Sequence, residues 1–95
     1  MLSAIVVDEK DYVATALLDL EEGNSAAVEM RGKSAEIRLQ SGIPFGHKFA
    51  LGEIEAGDPV IKYGEVIGLA TARIAAGEHV HVHNVEGLRG RGDKK

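Results

Sequence analysis

A mostly β fold, built from short strands and long bent hairpins with glycine turns, is predicted by three features of this 95-residue chain. First, one pattern recurs three times, as residues 16–23, 50–57 and 70–77. Each copy is a short apolar stretch, an aliphatic residue (Leu20, Ile54 or Ile74), two spacers and a glycine (Gly23, Gly57 or Gly77). That order suits a strand ending in a turn whose glycine adopts a left-handed conformation, with the aliphatic side chain plugging the core beneath it. Second, twelve glycines supply many tight turns. Third, the apolar residues are mainly Val, Ile, Leu and Ala in short or alternating runs, the signature of strands. The copies are irregularly spaced, so they describe one small fold with a repeated corner and not a solenoid.

Taken in chain order, the first strand is expected over residues 4–7. Residues 11–20 suit either one helical turn or a buried strand, and the strand entering the first glycine turn is preferred. Strands follow over 27–30 and 35–39, joined by a hairpin turn at Arg31-Gly32-Lys33-Ser34. Further strands are expected over 48–51, 60–62, 65–70 and 78–83, with Tyr63-Gly64 as a tight turn. Residues 1–87 make one domain. Residues 88–95 form a flexible tail, in which Arg89 to Lys95 hold four basic residues and one acid. The Arg91-Gly92-Asp93 tripeptide within it is read as chance.

Composition narrows the function classes. With no cysteine, disulfides, thiolate metal sites and cysteine nucleophiles are excluded. The net charge of −4 argues against nucleic acid. No apolar run reaches the ~20 residues of a membrane-spanning helix, and a cytoplasmic location is expected. No glycine-rich phosphate loop, Ser–His–Asp set or paired carboxylate stands out.

Three of the four histidines lie in His79-Val80-His81-Val82-His83-Asn84. On a strand the three imidazoles would share one face and both valines the other. Alternate strand residues sit about 6.6 Å apart, so His79/His81 or His81/His83 can share an ion at bonds of about 2.1 Å. His79 and His83, about 13 Å apart on a strand, cannot both join it easily. Asn84 ends the run, where it can fix an imidazole, bind a substrate hydroxyl or begin a turn. His47-Lys48 makes a second candidate, with lysine for a carboxylate and histidine as base. Lys62 and Tyr63 offer polar groups at a pocket rim.

The segments 47–51, 61–68 and 74–84 closely resemble one family, the small SAF-type domain of the altronate and galactarate dehydratases. The small subunit of sulfolactate sulfo-lyase belongs to the same group. The resemblance is specific over residues 43–93 and weaker over 11–17. Family members often carry a His-Pro pair before an Asp-x-Val motif. Here that stretch is Val7-Asp8-Glu9-Lys10-Asp11, so the resemblance carries over no histidine there.

The resemblance implies a β-clip fold. It also implies a role as small subunit of a carbon-oxygen lyase that dehydrates a sugar acid together with a separate large catalytic subunit. A divalent metal is implied, iron(II) first, with manganese(II) or zinc(II) as alternatives. His47, His81 and His83 are then the expected catalytic groups, and His81 and His83 the metal ligands. Lys48, Lys62, Tyr63 and Asn84 are the expected substrate contacts. The chain alone should be inactive, and a homo-oligomer is left open. The alternatives are a non-catalytic module that binds sugar acids or a partner protein, and the small subunit of a sulfolactate sulfo-lyase.

Overall fold

The computed structural model describes residues 2–8, 10–30 and 32–87. Among the described residues there are nine short strands and no helix: β1 (Ala4–Ile5), β2 (Val13–Ala16), β3 (Ser25–Met30), β4 (Lys33–Arg38), β5 (Lys48–Ala50), β6 (Pro59–Lys62), β7 (Glu65–Ala70), β8 (His79–Val80) and β9 (Val85–Gly87). They form a four-stranded sheet β1-β2-β5-β8, a ribbon β3-β4 and a three-stranded sheet β6-β7-β9. All pairings are antiparallel. The expected β-rich class is what the chain adopts. No helix among the described residues is long and apolar enough to cross a membrane.

The corner device organises the chain, and it occurs four times. Gly23, Gly57 and Gly77 have φ of 89°, 88° and 82°. Leu39 to Gly46 (φ 82°) repeats the same spacing, with Ile43 as the plug. In each corner the residue after the glycine donates its N–H to the carbonyl two before it: Asn24 to Glu21, His47 to Pro44, Asp58 to Glu55 and Glu78 to Ala75. A positive φ at the third position of such a turn explains the glycine.

The corners then pair two by two. Leu20 and Ile43 exchange both backbone hydrogen bonds, and so do Ile54 and Ile74. Each corner glycine donates to the residue that opens its partner corner: Gly23 to Leu39, Gly46 to Ala16, Gly57 to Ala70 and Gly77 to Ala50. This copy, second in chain order, escaped the sequence pattern because Gln40 and Ser41 interrupt its apolar run.

Each pair of corners sits on its own apolar cluster. One contains Ala4, Ala14, Ala16, Ala26, Val28, Leu39, Ile43 and Phe49. The other contains Val13, Ala50, Ile54, Val60, Ala70, Ile74 and Val80. Strand alternation divides β2 and β5 between them: Ala14 and Phe49 face the first, Val13 and Ala50 the second. Phe49 is the largest fully buried side chain, and its burial is worth about 2–3 kcal/mol.

The Tyr63-Gly64 turn forms as expected, with φ of 57° and 75°, the two positive values a tight two-residue hairpin prefers. Asp11 holds it in place by accepting the Gly64 N–H at 2.9 Å. Two expectations need correction. The first strand ends at Ile5. Residues 78–83 are not one strand: only His79–Val80 is extended, and residues 81–84 turn. Val82 consequently points outward at 82% exposure instead of joining Val80 in the core. The turn lets β9, too short to show alternation, return alongside β7. The proposed tail from Leu88 and the Arg31 position of the hairpin turn lie outside the described residues.

Candidate functional site

The second and fourth corners deliver histidines to the same spot. His47 directly follows Gly46, and His79 lies two residues beyond Gly77. β5 and β8 then pair with Phe49 opposite His79 and Lys48 opposite Val80. His47 Nδ1 lies 2.9 Å from His79 Nε2, a hydrogen bond that requires a proton on one ring and a lone pair on the other. The His79 N–H donates to Ser41 Oγ at 3.0 Å, fixing the strand end.

His81 joins them because the chain turns. Asn84 is buried and its amide spans the turn: Oδ1 accepts the His81 N–H at 2.9 Å, and Nδ2 donates to the His79 carbonyl at 2.8 Å. The Asn84 and Val85 N–H groups both donate to the His81 carbonyl. The His81 ring thereby stacks on His47 at 4.5 Å between centroids, and on His79 at 5.5 Å. One nitrogen from each of His47, His79 and His81 lies within 4.8 Å of the others, with His81 exposed and the other two half-buried. His83 tilts over the outer side of His79, at 5.4 Å between centroids. The turn that follows Val80 replaces the continuous strand on which His79 and His83 were expected to stand.

The proton affinity of His79 follows from this crowding. Partial burial depresses the His79 pKa below the usual 6.5. Repulsion from His47, His83, His81 and Lys48 adds to the effect. Neutral imidazoles are the form that binds a metal ion or accepts a proton. Beside them opens a cleft of about 230 Å³, lined by Lys48, Ile67, Val80, His81, Val82, Val85 and Gly87. One wall is thus apolar, with an ammonium and an imidazole at its edge.

Among the residues singled out from sequence, His47, Lys48, His81 and His83 all lie in this region. Lys62 and Tyr63 are at the tip of the β6–β7 hairpin, with the Lys62 ammonium 3.2 Å above the Tyr63 ring, and neither lines the cleft. Asn84 is beneath the histidines, and its amide is engaged with the backbone. His79 was the member that spacing named only in one of two alternative pairs. Its signal was the corner register, since His79 and Lys48 both stand two residues after a corner glycine. Ser41 carried no sequence signal.

The family model for the altronate/galactarate dehydratase SAF domain matches residues 2–88. The chain belongs to this family. Its relatives include the altronate dehydratase of Escherichia coli, 48% identical over 80 residues, and that of Bacillus subtilis, 37% identical over 86. These matches cover 84% and 90% of this chain but 15% and 16% of the relatives, so the chain spans about a sixth of those proteins. The (2R)-sulfolactate sulfo-lyase subunit alpha of Chromohalobacter salexigens is 34% identical, with 90% of this chain and 94% of the relative covered. The SAF-domain chain therefore matches both a segment of a long dehydratase and nearly the whole of a short subunit.

Proposed function

We propose that this SAF-domain chain is the small component of a cytoplasmic carbon-oxygen lyase that dehydrates a sugar acid together with a large catalytic subunit. The observation that carries the reading is the convergence of His47, His79 and His81, with Lys48 and His81 lining one cleft. The near-complete coverage of a relative named as a subunit supports a partnered chain.

The reaction removes the proton next to the substrate carboxylate and expels the neighbouring hydroxyl as water. Lys48 would hold the carboxylate by charge. A neutral imidazole, His47 or His81, would accept the proton and return it to the leaving oxygen. His83, exposed beside His79, would be a further imidazole at the rim of the group. Lys62 and Tyr63 would meet the substrate or the partner from the hairpin tip, and Asn84 would act through the turn that aims His79 and His81. A divalent ion, iron(II) first and manganese(II) or zinc(II) next, would polarise the hydroxyl or the carboxylate. The imidazole donors present suit such ions.

The shallow, half-open cleft argues that the chain alone does not complete a site. The test is reconstitution. The chain is mixed with the large dehydratase subunit of its host, and dehydration of altronate and galactarate and sulfite release from sulfolactate are measured. Activity requiring both proteins, on one of these acids, is the expected result. Substantial dehydration of altronate by the chain alone would refute the subunit reading. A stable complex with a sugar acid, with no lyase activity in any mixture, would favour a binding module.

A further inference from the structure

We propose that an exposed apolar row, Leu2, Leu18 and Phe45 with Leu17 beside it, is the surface on which the large catalytic subunit docks, and that the matching face of that subunit is apolar with a basic border. The identity of the partner rests on the lyase reading, but the surface itself rests on register and exposure. The bridge between Leu20 and Ile43 lies on one side, and the bonds joining Ala16 to Gly46 and His47 lie on the other, so the register sets Leu18 opposite Phe45. Ala4 pairs with Ala16, and the Leu17 N–H donates to the Ser3 carbonyl, so Leu2 comes beside Leu18. Three chain segments thus contribute one large apolar residue each to a single row. Leu2, Leu17, Leu18 and Phe45 are 41%, 44%, 50% and 67% exposed. The Phe45 N–H donates to Asp19 Oδ1 at 2.8 Å, which fixes the backbone under the most exposed of them. Beside the row is a shallow hollow of about 330 Å³ lined by Asp19, Leu20, Gly42, Ile43 and Pro44.

Size and charge define the occupant. Four side chains at these exposures present roughly 300–400 Å² of apolar surface, a patch size that is often functional on a single chain. A specific interface takes about 800 Å² from each partner. The row is therefore the apolar centre of a contact that spreads onto its neighbours. Gly46 and His47 follow Phe45, so a partner seated on the row also reaches the imidazole group. The residues after Leu18 include Asp19, Glu21 and Glu22, all exposed, which gives the row an acidic border. A second copy of this chain, with a net charge of −4, brings no opposing charge to that border. A partner with an apolar centre and Lys or Arg around it complements both the row and the border. The relatives point the same way, because similar chains occur as a segment of a long dehydratase and as a short subunit. A segment of a long chain is held by peptide bonds, whereas a separate chain has only its surface to hold it.

The experiment is biolayer interferometry of the full chain on the large dehydratase subunit of its host, with lyase activity measured in parallel. Phe45→Ser and Leu18→Ser should each weaken the complex by about 10-fold or more, the loss expected for anchors at an interface centre. Ile5→Ser is the control. Ile5 is 44% exposed on β1, next to core-facing Ala4 and so on the opposite face, and its replacement should change the affinity by less than about twofold. The double variant Glu21→Lys/Glu22→Lys should associate more slowly, and added salt should slow the wild type more than this variant. At saturating large subunit, Phe45→Ser should regain wild-type turnover, because the row holds the partner and touches no substrate. The substituted side chains are exposed, so urea midpoints should stay within about 0.3 M of the wild type. Should Phe45→Ser fail to fold, Leu18→Ser and the glutamate variant still decide the matter.

Wild-type affinity in both Phe45→Ser and Leu18→Ser would overturn the surface and leave the lyase reading standing. A complex weakened by these variants, with no lyase activity on altronate, galactarate or sulfolactate, would leave the surface standing and remove the lyase reading. Failure of the wild type to bind the large subunit would overturn both. Self-association of the wild type that Phe45→Ser abolishes would give the row to a second copy and overturn the choice of partner. Equal slowing of the wild type and the glutamate variant by salt would overturn the basic border.

Discussion

Replacing Gly77 by alanine tests the corner architecture directly, because Gly57 supplies an internal control. Both glycines have left-handed φ, 82° and 88°, so both substitutions carry the ~1–2 kcal/mol cost of an L-residue there. Around Gly57 nothing lies within 4 Å of the added Cβ. At Gly77 the added carbon would stand 1.9 Å from the Arg38 carbonyl oxygen and 3.2 Å from Leu39 Cα. These are backbone atoms and cannot rotate away. Relief requires moving the end of β4 from the fourth corner by more than 1 Å.

Such a movement strains the bond from the Gln40 N–H to the Gly77 carbonyl and that from the Gly77 N–H to Ala50, each worth about 1 kcal/mol net. It also lifts fully buried Leu39 from its cluster. Gly77→Ala should therefore cost about 4–6 kcal/mol, against ~1–2 for Gly57→Ala. A domain of this size has only about 5–14 kcal/mol in total. Urea unfolding followed by circular dichroism is the assay. With a urea slope of about 1–3 kcal/mol per molar, Gly57→Ala should lower the midpoint by roughly 1 M. Gly77→Ala should lower it by at least twice as much or leave the chain unfolded. Midpoints within about 0.3 M of each other would refute the claim that backbone approach at Gly77 limits the fold.

Asn84→Ala should cost about 2–3 kcal/mol, because it strips partners from the His81 N–H and the His79 carbonyl at a buried position; chemical denaturation measures this, and weaker zinc binding should accompany it. Asp11→Asn should destabilise by about 1.5–3 kcal/mol at pH 7, where the carboxylate accepts backbone N–H groups. Burial raises the Asp11 pKa, but bonds from the Gly64, Tyr63, Asp8 and Val7 N–H groups outweigh it and leave the value below the usual 3.8. Stability from the ionised form is thus complete above 3.8 and is lost as pH falls through the lower folded value, so wild type and Asp11→Asn should converge in acid unfolding curves. His79 has the opposite charge logic. Its folded pKa lies below the usual 6.5, so protonation opposes folding, and metal-free stability should decline as pH falls through 6.5. An NMR titration should give His79 a midpoint below 6.5, and a midpoint above it would contradict the crowded, partly buried geometry.

Much of this was legible because it is local. A glycine three residues after an aliphatic plug is a property of eight consecutive residues, and it identified three corners; the turns at Gly32 and Gly64 were legible from a glycine between two strand-like runs. The family was readable from contiguous segments for the same reason. The second corner was hidden where Gln40 and Ser41 replaced the expected apolar run. The β9 strand was hidden because three residues carry no periodicity, and only pairing with β7 makes them a strand.

The site divides along the same line. The sequence by itself offered the candidate residues, His47-Lys48 and the histidines from His79 to His83, since side-chain chemistry does not depend on the fold. It also determined the β class and the corner turns, through backbone preferences acting over a few residues. Only the tertiary structure decided which nitrogens meet. Alternation predicted a flat strand face with neighbours 6.6 Å apart. A buried Asn84 amide bends that strand after Val80, and a corner 32 residues earlier brings His47 into the group. The grouping depends on backbone hydrogen bonds between distant corners, and no local pattern encodes those.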